Sequence, residues 1–199
     1  FRNCTSFSNV TLPNSVTTIG ASAFAGCTSL SDVILSNSVE TIEAFVFSGC
    51  TGLSDITLPN SVVTIGNSAF NRCASLSEII LPDTVASIGN GAFAYCSSLL
   101  NITIPNSVTA IGNNTFLGCE NLSNITLPKS VTSIGFRAFQ DCKNLSSIII
   151  PSSVSFINYH AFSGWTSEQT IIICGHSKAP STWDSSWYWQ SSATIQFEP

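Results

Sequence analysis

Charge is what this sequence has least of. Charged side chains make up 9% of its 199 residues, against about 25% in an ordinary soluble protein. Six lysines and arginines face eleven aspartates and glutamates, giving a net charge of −5, and no two of the six cations are adjacent. Nucleic-acid binding displaces counterions with a basic stripe, so that class of partner is excluded. No apolar run approaches the ~18 residues that a membrane-spanning helix needs. The only histidines are His160 and His176, neither in a nucleophile or metal motif, and no paired C-x-x-C occurs. Zinc, other cofactors and enzymatic activity are therefore not expected. Serine is so abundant that no Ser/His/Asp constellation stands out. Methionine is absent and the chain opens inside a repeat, which points to a fragment or a processed product, so the lack of a signal peptide or anchor here decides nothing.

What the chain has in place of charge is a period. Phenylalanine recurs every 23 residues at Phe1, Phe24, Phe47, Phe70, Phe93, Phe116, Phe139 and Phe162. Cysteine follows three positions later at Cys4, Cys27, Cys50, Cys73, Cys96, Cys119 and Cys142, until Trp165 takes the eighth slot. A fixed period of this size means stacked units, each too small to bury its own apolar face. Ser, Thr and Asn fill the solvent positions, which suits stacking because like charges in adjacent coils would repel. No linker interrupts the phase, so one elongated domain is expected.

The unit from Cys50 to Cys73 can stand for all. Leu53-x-x-Ile56-x-Leu58 alternates as a short strand, and Pro59, which cannot donate to a ladder, ends it. Asn60-Ser61 is turn chemistry. Val62-x-x-Ile65 reads as a second short extended segment, and Gly66 as a tight corner. Ala69, Phe70 and Cys73 then face inward at a spacing that predicts one helical or 3₁₀ turn. Each apolar column becomes a ladder with one rung per coil, so eight coils span roughly 40 Å at the strand-pairing distance.

Leu-x-x-Ile-x-Leu is the strand signature of leucine-rich repeats, and the fuller string "LPNSVTTIGASAFAGC" with its copies resembles the BspA-like (Treponema-type) leucine-rich repeats of surface proteins. The match runs over about residues 1–173, with small departures: Ser36 for the proline, Glu43 and Asn158 for the glycine, Val46 and Thr115 for the alanine. The resemblance implies a mostly β, α/β-class solenoid, a right-handed coil of about eight 23-residue repeats with a parallel sheet on one face. Residues 174–199 form a C-terminal capping segment of the same domain in this reading. It also implies an extracellular or surface-displayed, non-catalytic protein used in adhesion, with a protein ligand such as an extracellular-matrix or host surface protein. The family carries no catalytic residues to transfer, and a monomer is expected.

On such a strand the residues flanking the central apolar position point outward. One outward column holds Asp32, Asp55, Glu78, Asn101 and Asn124; the other holds Ile34, Thr57, Ile80, Thr103, Thr126, Ile149 and Ile172. These twelve are the candidate partner-binding residues. Three consecutive carboxylates could meet a basic segment or a weak Ca²⁺, although a hard cation wants six or more oxygens, and a solvated face explains them as well. Exposed isoleucines are more telling, since apolar groups on a solvent-facing sheet can seed a contact patch. On the opposite edge Phe45, Phe136 with Arg137, and Tyr159 with His160 break the Ser/Asn monotony. Either local packing or a second contact surface accounts for them.

Eight cysteines in an extracellular chain invite a disulfide framework, but seven lie in one core-facing column where a thiol acts as a small hydrophobe. Free thiols are expected. Replacement by Trp165 agrees, because a bridge is not swapped for an indole. Sequons at Asn3, Asn9, Asn101, Asn113, Asn121, Asn124 and Asn144 follow from the repeat and matter only in a eukaryotic secretory source. Beyond Trp165 the phase frays. Trp183, Trp187, Tyr188 and Trp189 suit an end cap, with Ala193 to Phe197 as a closing strand; an aromatic carbohydrate platform is the other reading. Two functions remain: a surface binding module, and a structural spacer that holds another domain away from the cell.

Overall fold

Alternation of buried and exposed side chains makes each Leu-x-x-Ile-x-Leu segment extend, and the 23-residue period lays the segments side by side. The computed structural model describes residues 1–198. The strands Asn9–Thr11, Asp32–Ile34, Asp55–Thr57, Glu78–Ile80, Asn101–Thr103 and Asn124–Thr126 form one six-stranded sheet in sequence order. Every pairing is parallel and in phase, as in Asp55 with Glu78, Ile56 with Ile79 and Thr57 with Ile80. Ser147–Ile150, Thr170–Cys174 and Thr194–Glu198 make a further three-stranded sheet, whose first strand lies beside Asn124–Thr126.

The second extended segment is also present, as two-residue strands such as Thr64–Ile65 and Ser87–Ile88. They pair in two three-stranded sheets along another side of the coil. Between the sides lies a continuous core of Leu, Ile, Val, Phe and Cys columns. From Phe24 to Phe162 the rings stack at centroid spacings of 5.4–5.7 Å, with interplanar angles of 1–13°. That is offset-stacked geometry, so each ring adds aromatic contact to its area burial.

The Ala-Phe-Cys segment differs from the expected helical turn. No α- or 3₁₀-helix occurs among the described residues. Instead the hydrogen bonds alternate along an arc of turns. The amides of Ala69, Asn71 and Cys73 close turns within their own coil, onto the carbonyls of Gly66, Ser68 and Phe70. Those of Ser68, Phe70 and Arg72 donate to Asn90, Ala92 and Ala94 of the next coil. A helix would spend every amide inside its own coil; stacking at this distance takes half of them. The cost is a left-handed backbone at two places per coil, two residues before and two after each phenylalanine, as at Ser68 (φ 53°) and Arg72 (φ 60°).

Gly66 serves a purpose other than the expected tight corner. A Cβ there would stand 2.7 Å from the Ala44 amide nitrogen, and one on Gly89 would stand 2.5 Å from that of Asn67. At Gly66 and Gly89 the preceding coil passes too close for a side chain, whereas Glu43 and Asn158 fill the same column in other coils. Gly20, in the first coil, has nothing within 4 Å.

All eight cysteines are free. Six of the seven in the column are buried, while Cys4, in the first coil, is exposed. The column is more than a hydrophobic filler. The thiols of Cys50, Cys73, Cys96, Cys119 and Cys142 donate to the carbonyls of Phe24, Phe47, Phe70, Phe93 and Phe116 at 3.1–3.2 Å. The Trp165 indole Nε1 donates to Phe139 at 2.9 Å and so continues the same chain of donors. Burial pushes the Cys50 and Cys96 thiols up to about 12 and raises Cys73, Cys119 and Cys142 as well. These are neutral, unreactive thiols.

The frayed sequence after Trp165 adds one more, irregular coil. His160 and Gly164 donate to the carbonyls of Ser186 and Gln190, and Thr194–Glu198 pairs with Thr170–Cys174. Trp187 packs edge-on against Phe162 at 5.8 Å, and Trp183 donates its indole N–H to Val154. Both are buried, but Tyr188 and Trp189 are 43% and 58% exposed and do not share in covering the end. Both follow the inward Trp187 directly in sequence and turn to solvent.

Candidate functional site

The sheet face is assembled by the central residue of each strand. Val33, Ile56, Ile79, Ile102 and Ile125 are buried, which turns both neighbours of each outward. Asp32, Asp55, Glu78, Asn101 and Asn124 accordingly form one exposed column, and Ile34, Thr57, Ile80, Thr103 and Thr126 the other. Ile149 is exposed in the same phase. Ile172 departs from the expectation: it is half-buried, because the closing strand puts Gln196 beside it.

Three isoleucines break the threonine column at 54% (Ile34), 71% (Ile80) and 57% (Ile149) exposure. A hollow of about 310 Å³ lies beside Ile34, lined also by Asp32, Asn37, Asp55, Thr57 and Pro59. A smaller one, about 150 Å³, lies between Glu78, Ile80, Asn101 and Thr103. The face thus offers apolar knobs, shallow hollows and a short acidic rail in adjoining rungs. Asp55 accepts a hydrogen bond from its neighbour Ser54 at 3.0 Å. No group of three or more His, Cys, Asp or Glu side chains is placed to hold a metal ion among the described residues.

Sequence reasoning missed Leu100. It occupies a slot filled by serine in the preceding and following coils, one residue before Asn101–Thr103, and is 47% exposed. The break in that serine column was the available signal. It missed the arc's left-handed positions too, although the Gly-Cys dipeptides at Gly26, Gly49 and Gly118 mark one of them.

A parallel coil with one exposed sheet and no helix long and apolar enough to cross a membrane defines a repeat solenoid of the leucine-rich class. The chain belongs to the family described as "BspA type Leucine rich repeat region (6 copies)", matched over residues 1–122 and 63–183. It is similar to the Treponema pallidum leucine-rich repeat protein at 36% identity, covering 73% of this chain and 68% of that one, with a TM-score of 0.68. A leucine-rich repeat protein from Bacteroides ovatus is 27% identical over 99% of this chain and 53% of its own, with a TM-score of 0.71. A leucine-rich cell surface protein from Faecalibacterium prausnitzii is 28% identical over 100% of this chain and 62% of its own, with a TM-score of 0.61. The chain therefore spans about half of the Bacteroides protein and under two thirds of the Faecalibacterium one. Among curated proteins none matches.

Proposed function

We propose that this chain is a non-catalytic binding module of a secreted or surface-displayed protein, and that it recognises a protein partner through the exposed face of its parallel sheet. The observation that carries this reading is the trio Ile34, Ile80 and Ile149, more than half exposed in a column that holds threonine at Thr11, Thr57, Thr103 and Thr126. Threonine is also favoured in strands and exposes less apolar surface, so the recurrence of isoleucine favours a contact role. Beside two of the three run Asp32, Asp55 and Glu78, which favour a partner that brings basic groups next to an apolar patch. The Faecalibacterium relative is described as a cell surface protein, and the same location is proposed here.

The test is capture of immobilised extracellular-matrix and plasma proteins by the native chain and by the triple variant Ile34→Lys/Ile80→Lys/Ile149→Lys. The module reading expects one or more matrix or plasma proteins to be bound and the variant to lose them at unchanged melting temperature. Equal capture by both chains contradicts it. Capture by neither leaves the spacer function as the better account.

A further inference from the structure

The turn arc carries side chains that its backbone does not favour. Its two left-handed columns are filled by glycine at Gly26, Gly49, Gly91, Gly118 and Gly164, and by small polar residues such as Ser22, Ser68 and Asn114. Only glycine enters this region freely, with Asn, Asp and His the next most tolerated. Yet Arg72, Tyr95 and Arg137 stand there, at φ values of 60°, 60° and 53°, as do Phe45 and His160 in other coils. Strain kept at bulky side chains points toward function.

Tyr95 and Arg137 line one groove, and Arg72 reaches its edge over the Tyr95 ring. Its floor is made by Ser68, Gly91 and Ala94, all small, and its walls rise at Tyr95, Phe136 and Arg137. The volume is about 510 Å³, within the range of small-ligand sites. The Tyr95 ring lies down over the next coil because Gly118 leaves it room: a Cβ there would stand 2.7 Å from the ring. The Arg72 guanidinium sits 5.6 Å from the centre of that ring, and Arg137 sits 4.6 Å from the centre of the Phe136 ring. Aromatic neighbours hold both cations in place. Neither is in an ion pair among the described residues, in a chain with six cations in all.

We infer that this groove binds an acidic oligosaccharide, with Tyr95 and Phe136 packing against the sugar rings, Asn71 and Asn114 bonding hydroxyls, and Arg137 pairing with a ring carboxylate. The side chains of Asn71 and Asn114 line the groove. A planar guanidinium forms two parallel bonds to a carboxylate. An acidic peptide fits less well. The arc's main chain is already spent, with the amides of Ser68, Asn71, Gly91, Ala94 and Leu117 all donating within or between coils. An extended peptide would find no backbone partners there, whereas a sugar is recognised by side chains alone.

The proposal is independent of the sheet face and lies on another side of the coil. Calorimetric titration with tri-galacturonate, maltotriose and tetraglutamate tests it on the full chain. Saturable binding of tri-galacturonate is expected, at least tenfold tighter than either the neutral sugar or the acidic peptide. Tyr95→Asn and Arg137→Asn place a residue better suited to the left-handed backbone, so each should keep the parent melting temperature and lose binding at least tenfold. Ser68→Asp puts a negative charge on the floor without touching a wall, and should weaken binding by a similar factor. The triple isoleucine variant of the sheet face should bind tri-galacturonate as the parent does. No saturable heat with tri-galacturonate at millimolar concentration overturns the proposal. So does equal affinity for tetraglutamate, or full affinity in all three groove variants.

Discussion

The sheet face and the turn arc belong to the same coils, yet they tolerate variation on opposite terms. On the sheet face the backbone is extended at every coil, so Asp, Asn, Glu and Ser alternate at one outward position and Thr and Ile at the other without backbone cost. On the arc two positions per coil are left-handed, and any side chain larger than glycine is strained there. Variation on the sheet is therefore cheap and says little unless it exposes apolar surface. Variation on the arc is costly, and a bulky residue there asks for a reason. The same period produces a permissive surface and an exacting one.

The largest expected difference between the two sides is with pH. The thiol column lies under the arc and has no counterpart under the sheet. Each buried thiol from Cys50 to Cys142 holds its proton more tightly than the same thiol unfolded, so its stabilisation is complete well below the free value of about 9. It drains as pH climbs toward about 12, the folded value for Cys50 and Cys96. The loss is on the order of 1 kcal/mol for each of these two at pH 10, and Cys73, Cys119 and Cys142 add to it. Denaturant melts at pH 7, 9 and 10 should show stability beginning to fall by pH 9 and falling steeply by pH 10. A chain equally stable at pH 7 and 10 would mean the thiols are not buried as donors.

Next come the two cores. Phe93→Ala, in the middle of the ring stack, should cost about 3–5 kcal/mol, while Ile102→Val under the sheet should cost about 0.5–1.5. Urea melts of the two variants measure both. Equal losses would show that the ring stack has no special weight.

The glycine column sharpens the contrast further. Gly89→Ala drives a methyl into the main chain of Gly66 and Asn67 and should cost about 1–3 kcal/mol. Gly20→Ala meets nothing and should be neutral or slightly stabilising. A thermal melt that ranks them the other way would contradict in-register stacking. The smallest effect is expected on the sheet: Ile80→Lys and Ile149→Lys should each stay within about 0.5 kcal/mol of the parent.

The sheet side was legible in the sequence because a period of two within a period of 23 assigns every side chain to a face. Val33, Ile56 and Ile79 inward fixes Ile34 and Ile80 outward, and the structure agrees. The arc was less legible, because its local pattern fits a helical turn equally well. What decides against a helix is the sharing of amides between coils, as from Phe70 to Ala92, and no local spacing encodes that. The role of Gly66 was misread for the same reason: its crowding comes from Ala44 and Glu43, one coil away. The thiol-to-carbonyl ladder was hidden too, since a donor and a small hydrophobe leave the same trace in sequence. Trp165, with its single N–H in the same slot, was the clue.

The central claim is that the coils stack in register, with one sulfur above another along the spine. Alkylation of the native chain with iodoacetamide, followed by intact mass and peptide mapping, tests it most directly. Cys4 should react first and Cys174 more slowly, with its thiol raised by partial burial and by Glu198, while the other six react only after denaturation. Rapid native labelling of Cys73, Cys96 or Cys119, or recovery of any of them as disulfides, would contradict the account.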